Sequence, residues 1–114
     1  MNLEEARKVV DEQLEHQVRS HAEFVEKTLR DGRFDEFLDH VLDMSRKQAW
    51  NPNKNKWETT GYEFCLAWGG PGIWFNTWDC EIEGHWSGSE SRVKLPRDVC
   101  DAIDDYLNEI YGEG

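Results

Sequence analysis

Positive charge is what this sequence lacks most: 13 lysines and arginines face 24 aspartates and glutamates, for a formal charge of −11. Such a surface repels phosphate, so direct contact with nucleic acid or an anionic membrane is not expected. No apolar run reaches the length of a signal peptide or a membrane span, and the expected location is the cytoplasm of the cell that makes the chain. Cysteines are few and odd in number. Cys65, Cys80 and Cys100 lack metal-ligand spacing and read as reduced thiols used as small core residues. His16 and His21 are five apart, on different faces of a helix, while His40 and His85 stand alone, so neither a metal nor a cofactor is expected. Repeats are absent, and 114 residues make one domain, 1–114, with room for one core.

Aromatic residues are what the chain has instead. Residues 61–86, GYEFCLAWGGPGIWFNTWDCEIEGHW, hold Trp68, Trp74, Trp78 and Trp86, four of the six tryptophans, around a Gly-Gly-Pro-Gly turn. Alternation predicts three short antiparallel strands. In the first, Tyr62, Phe64, Leu66 and Trp68 point one way and Glu63, Cys65 and Ala67 the other. Ile73, Phe75 and Thr77 then oppose Trp74, Asn76 and Trp78. Cys80, Ile82 and Trp86 oppose Glu81, Glu83 and His85 in the third, and a fourth short strand fits 91–95.

Helices flank this sheet. Over 2–30, Leu3, Val10, Leu14, Val18, Val25 and Leu29 form a narrow stripe, supported by pairs such as Glu4 with Lys8 and Glu26 with Arg30. Such a helix lies on a sheet or pairs with its own copy. Gly32 suits a left-handed cap after it. A second helix is expected from about 34 to 49, with Phe34, Phe37, Leu38, Val41, Leu42 and Met44 on one face. Residues 51–56 form an exposed, locally basic turn, bracketed by Trp50 and Trp57, which could pin it to the core. Pro96 opens a last helix, with Val99, Ile103, Tyr106, Leu107 and Ile110 as its stripe through residue 111. The expected class is α+β: two N-terminal helices, a three- to four-stranded antiparallel sheet, and a C-terminal helix packed on the sheet.

No segment carries a catalytic signature. Glu81, Glu83 and His85 share a strand face and are the nearest approach to an acid–base cluster, although the solvated outer face of a half-buried strand is the preferred explanation of them. The Gly69–Gly72 segment precedes a strand, not a helix, so it is a hairpin rather than a phosphate loop. Cys65 sits mid-strand without a local partner for a nucleophile. The last helix is more suggestive. Asp98, Asp101, Asp105 and Asn108 or Glu109 recur three to four residues apart, away from the apolar stripe. Residues 71–114 hold ten acids against three bases, a net of −7. Such a row resembles a phosphate strand to a basic groove, yet duplex DNA carries about one charge per ~1.7 Å. One helix falls several-fold short, and Glu81, Glu83 or a second subunit would have to add charge. Trp74 or Trp78, left uncovered beside the acids, would serve as an apolar anchor for a protein partner.

Tyr62, Leu66, Gly69-Gly70-Pro71, Ile73, Phe75, Trp86 and Ile110-Tyr111-Gly112-Glu113 together resemble the pattern of a group of small, mostly uncharacterised phage and prophage proteins. Their pattern is a Tyr-led strand, a Gly-Gly-Pro turn, an acidic Trp-containing stretch and a terminal helix with an aromatic-Gly-Glu tail. The resemblance covers the C-terminal half and brings no catalytic residues. It implies a mobile-element origin, and with it, by analogy, inhibition of host machinery that handles nucleic acid, such as a CRISPR effector. The leading expectation is a non-enzymatic inhibitor, an anti-CRISPR-like partial DNA mimic. It would meet a basic protein surface through Asp98, Asp101, Asp105, Glu109, Glu81 and Glu83, with Trp74 or Trp78. The alternatives are a module that homodimerises through residues 2–30, its acidity serving solubility alone, and a small hydrolase using His85 with Glu81 or Glu83.

Overall fold

A computed structural model describes residues 2–111. The fold is α+β: helix α1 (Leu3–Arg30), helix α2 (Phe34–His40), strands β1 (Asp43–Asn51), β2 (Lys56–Ala67), β3 (Gly72–Asn76), β4 (Glu81–Trp86) and β5 (Ser89–Lys94), then helix α3 (Arg97–Ile110). The strands form one antiparallel meander in the order β1-β2-β3-β4-β5. The expected three or four strands are thus five.

One face of the sheet is apolar. Tyr62, Phe64 and Leu66 of β2, Ile73 and Phe75 of β3 and Ile82 of β4 are buried on it. α1 lies across β4 and β5 and closes over them with Leu14, Val18, Val25 and Leu29, so its stripe serves the sheet. Asn2 caps its start by accepting from the Glu5 amide at 2.8 Å. At its end Gly32, at φ 73°, and the Arg33 amide donating to the Thr28 carbonyl form the expected left-handed cap. α2 inserts Phe37, whose ring meets Phe64 at 4.9 Å and Phe75 at 6.0 Å, edge to face. α3 buries Val99, Cys100, Ile103 and Leu107 beside β2, where the Tyr62 hydroxyl donates to Asn108 Oδ1 at 2.7 Å.

Three expectations change here. The second helix ends at His40 rather than near 49, because Val41 turns extended and the chain enters β1. Apolar residues at 41, 42 and 44 fit a helical face as well as a strand end, and the long partner strand β2 decides for the strand. Leu42 is left 63% exposed. Trp68, expected inward, lies past the end of β2 beyond a register shift near Leu66, and is exposed. Cys80 and Cys100 are not separate thiols. Their Cα atoms lie 5.9 Å apart in a disulfide joining the start of β4 to α3, and Cys65 alone is free. The cysteines therefore give no argument for a reducing compartment. The Gly112-Glu113 tail of the resemblance lies outside the described residues.

The hairpin of β1 and β2 outruns the rest of the sheet. β3 pairs with β2 only over Glu63–Ala67, and Gly61 abuts Thr77 and Trp78. Beyond that point Gln48–Asn51 and Lys56–Thr59 pair with each other alone, around a turn at 52–55. The radius of gyration is 16.2 Å, against ~13 Å for a compact chain of this size.

α1 sits directly on the backbone of β4. A Cβ on Gly84 would lie 2.5 Å from Val18 Cγ2 and 3.0 Å from Leu14 Cδ1, both on buried side chains. Gly84→Val is expected to destabilise the fold by ~1–3 kcal/mol, read as a lower urea midpoint at unchanged slope. An unaltered midpoint would mean that α1 is not seated there.

Candidate interaction surface

α3 owes its two faces to its spacing. With Val99, Cys100, Ile103 and Leu107 inward, the 3.6-residue period turns Asp101, Asp105 and Glu109 outward, ~6 Å apart along the axis. Two of its exposed acids are compensated, and half-buried Asp104 has Arg97 at 3.7 Å. Asp98 binds Arg30 of α1 at 3.0 Å, and this contact holds the guanidinium more firmly protonated. Asp101 binds Arg97 at 3.0 Å. Arg97 is itself tied to the sheet through the carbonyls of Thr77 (2.6 Å) and Trp78 (3.3 Å). Asp105 and Glu109 are exposed and have no basic partner among the described residues.

α2 extends this acidic face. The Tyr106 hydroxyl donates to Asp35, and the Tyr106 ring meets Phe34 edge-on at 4.7 Å, which sets α2 beside α3. Asp35 and Asp39 share one side of α2 and are exposed. Asp35, Asp105 and Glu109 therefore form a negative surface across two helices, with Asp39 one turn farther along α2. Sequence spacing does not show that the polar side of α2 adjoins α3, so this contribution emerges only from the fold.

Glu81, Glu83 and Trp74 lie elsewhere, on the sheet face that no helix covers. Cross-strand register lines up Asp43, Cys65, Trp74, Glu83 and Arg92 in one row across all five strands, and Glu63, Asn76, Glu81 and Lys94 in the next. Glu81 is buried and accepts from Arg92 at 2.7 Å, with Lys94 at 3.5 Å. Glu83 has Arg92 at 3.1 Å and His85 at 3.4 Å. Two acids matched by two bases on the neighbouring strand add no outward charge to the α3 row, which corrects the expectation that they would. Sequence spacing could not show this, because the pairing is set by strand register.

The same grouping bears on the acid–base trio. Glu83 and His85 do meet, but Glu81 is turned to Arg92 and Lys94, and the hollow beside His85 is lined by Gly69, Trp86, Ser87, Gly88, Ser89 and Glu90 rather than by either acid. Trp74 meets Trp68 at 6.0 Å and His85 at 5.9 Å, edge to face. It borders an open hollow of about 450 Å³ with Leu42, Asp43, Cys65 and Trp68, where burial raises the Cys65 thiol. Trp78 is half-buried beneath the Lys47 ammonium, 4.6 Å from the ring centroid. Neither Trp74 nor Trp78 stands beside the α3 acids as a free anchor.

Besides Trp68, the exposed tryptophans are Trp50 and Trp57. Instead of pinning the turn to the core they pack edge to face on each other at 5.6 Å, directly opposite in register, and remain 47% and 59% exposed. Alternation on either side of the turn was the available signal, but 42–49 had been read as helical.

Among the described residues no group of three or more His, Cys, Asp or Glu side chains is arranged to hold a metal, and no helix is long and apolar enough to cross a membrane. In comparisons with known proteins the chain matches no family model, no curated protein and no solved structure.

Asp104 faces inward, out of the acidic row. Its Oδ1 is buried without a hydrogen-bond partner, and burial is the largest cause of a pKa above the ordinary carboxylate value. A raised folded-state pKa means that the native state takes up the proton more readily than the unfolded chain. Its favourable contribution is full below the ordinary value of ~4 and is lost as pH rises through the folded value. Asp104→Asn is therefore expected to raise the denaturation midpoint at neutral pH, with the gain vanishing toward pH ~4. A gain that persists unchanged in acid would refute the assignment.

Proposed function

We propose that this is a non-enzymatic binding protein of phage or prophage origin. It inhibits a host nucleic-acid-handling complex, anti-CRISPR-like in action, by occupying a basic surface that nucleic acid would otherwise use. The observation that carries the reading is the acidic surface of α2 and α3, where Asp105 and Glu109 keep uncompensated charge beside Asp35 and Asp39. Asp98 and Asp101 lie on the same helix and exchange internal arginines for those of a partner at little cost, since such exposed pairs contribute about 0–1 kcal/mol.

The mimicry is partial. A few carboxylates spread over two helices cannot match the charge density of a duplex, so the contact competes for a few phosphate sites rather than replacing a whole strand. The proposed location is the host cytoplasm, where such complexes work. Dimerisation through α1 is less well supported, because the Leu14–Leu29 stripe is buried against the sheet and only Leu3 and Val9 of that helix are exposed hydrophobics.

Purified host effector complexes, loaded with labelled target DNA, provide the test. The protein should displace the DNA with an affinity that falls steeply between about 50 and about 300 mM salt. Asp105→Lys with Glu109→Lys should weaken displacement by about tenfold or more, equivalent to about 1.4 kcal/mol. Displacement that ignores salt, or its absence for every complex tried, would defeat the reading.

A further inference from the structure

The β1–β2 arm needs a cover. Beyond Gly61 it is a two-stranded ribbon, a form that is marginally stable by itself in water. It nevertheless carries an exposed tryptophan pair at its end. β1 alternates regularly, since the extra residue of the bulge, Thr60, is on β2. Met44, Arg46, Gln48 and Trp50 therefore share the helix-covered side of the sheet. On that side Arg46 lies over Tyr111, 5.5 Å from its ring centroid, and Tyr111 stacks on Tyr62 at 6.4 Å. The arm and the end of α3 thus meet at Arg46 and Tyr111 and form a corner there. Its floor runs outward along the arm to Trp50 and Trp57, ~13 Å beyond Arg46, and its wall is the end of α3, where Ile110 and Tyr111 are 56% and 49% exposed.

Charge is divided across the same corner. Residues 45–60 carry Arg46, Lys47, Lys54 and Lys56 against Glu58, which binds Lys54 at 3.2 Å; the net is +3, which leaves −14 on the rest of the chain. Asp105 and Glu109 lie within two turns of Tyr111 along α3.

We propose that a second copy of this chain fills the corner. Two molecules clasp about a two-fold axis. Each lays its Trp50–Trp57 arm against the end of the other's α3, with Lys54 and Lys56 directed at Asp105 and Glu109. Every copy bears both halves of this complementary pair, and two-fold symmetry forms each contact twice. That doubling suits a patch too small to hold alone, since a stable interface needs about 800 Å² per partner. Pairing edge to edge through β1 is disfavoured, because antiparallel copies would bring Arg46 and Lys47 close to their own counterparts. The clasp covers Asp105 and Glu109, so self-association and the proposed partner contact compete for one surface. This regulatory consequence rests on the reading above, whereas the clasp itself does not.

Sedimentation equilibrium of the full chain tests it, from about 5 to about 200 µM, where mass action should shift the mass from one copy to two. The dimer should weaken about tenfold or more between about 50 and about 500 mM salt. Trp50→Ala with Trp57→Ala should remain monomeric with native circular dichroism and still displace DNA in the effector assay, which separates failure of the clasp from failure of the functional reading. Lys54→Glu with Lys56→Glu, and separately Asp105→Lys with Glu109→Lys, should each be monomeric. An equimolar mixture of these two variants should dimerise, because each arm then meets a face of opposite sign. A wild-type monomer throughout, a dimer that survives either reversal, or a mixture that stays monomeric overturns the proposal. So does quenching of Trp50 and Trp57 by a short oligothymidine at protein concentrations where only monomer is present, which would give the arm to single-stranded nucleic acid.

Discussion

An antiparallel sheet with one apolar face must be roofed, and here the roof is shorter than the sheet. α1 covers β4 and β5, Phe37 of α2 closes on Phe64 and Phe75, and α3 packs its buried stripe beside β2. Those contacts take the buried stripes of the helices, and among the described residues no helix covers the distal half of the β1–β2 hairpin. The elongated shape, the exposed tryptophan pair and the corner at Tyr111 all follow from that mismatch. So does the separation of the acidic helices from the basic arm.

Strand register then decides which charges count. Glu81 and Glu83 are as acidic in composition as Asp105 and Glu109, but β5 places Arg92 and Lys94 opposite them. On the bare sheet face Glu81 and Glu83 are thus matched by Arg92 and Lys94 beside Trp74, while Asp43 and Glu63 of the same rows have no base opposite them in register. The helical face is different, because an outward helix stripe has only its own neighbours to pair with. Arg30 and Arg97 reach Asp98 and Asp101, and no base reaches as far as Asp105 or Glu109 among the described residues. Net charge is therefore a poor guide to where this molecule attracts a partner.

Much of the fold was legible because its signals are local. The α1 stripe and its Gly32 cap, the Gly-Gly-Pro-Gly hairpin, the alternation of β2 to β4 and the α3 stripe after Pro96 each lie within a few residues of chain. β1 was not legible. Phe34, Phe37, Leu38, Val41 and Leu42 continue a helical pattern past the point where the helix stops, and only pairing with β2 turns 43–51 into a strand. The candidate surface was legible in part: α3's row followed from spacing. The fates of Glu81, Glu83, Trp74 and Trp78 depended on which strand lies beside which, information that no window of sequence contains. The Cys80–Cys100 pairing was hidden for the same reason, because 20 residues separate two thiols that the β4–β5–α3 path brings together.

The sequence alone determined an acidic, tryptophan-rich α+β domain with an outward row of carboxylates on its last helix, since period and composition are properties of neighbouring residues. Tertiary structure decided which acids keep their charge, which tryptophans meet solvent, and that the one basic stretch projects as an arm. These outcomes depend on contacts between distant segments, where register and the reach of the covering helices set the partner of each side chain.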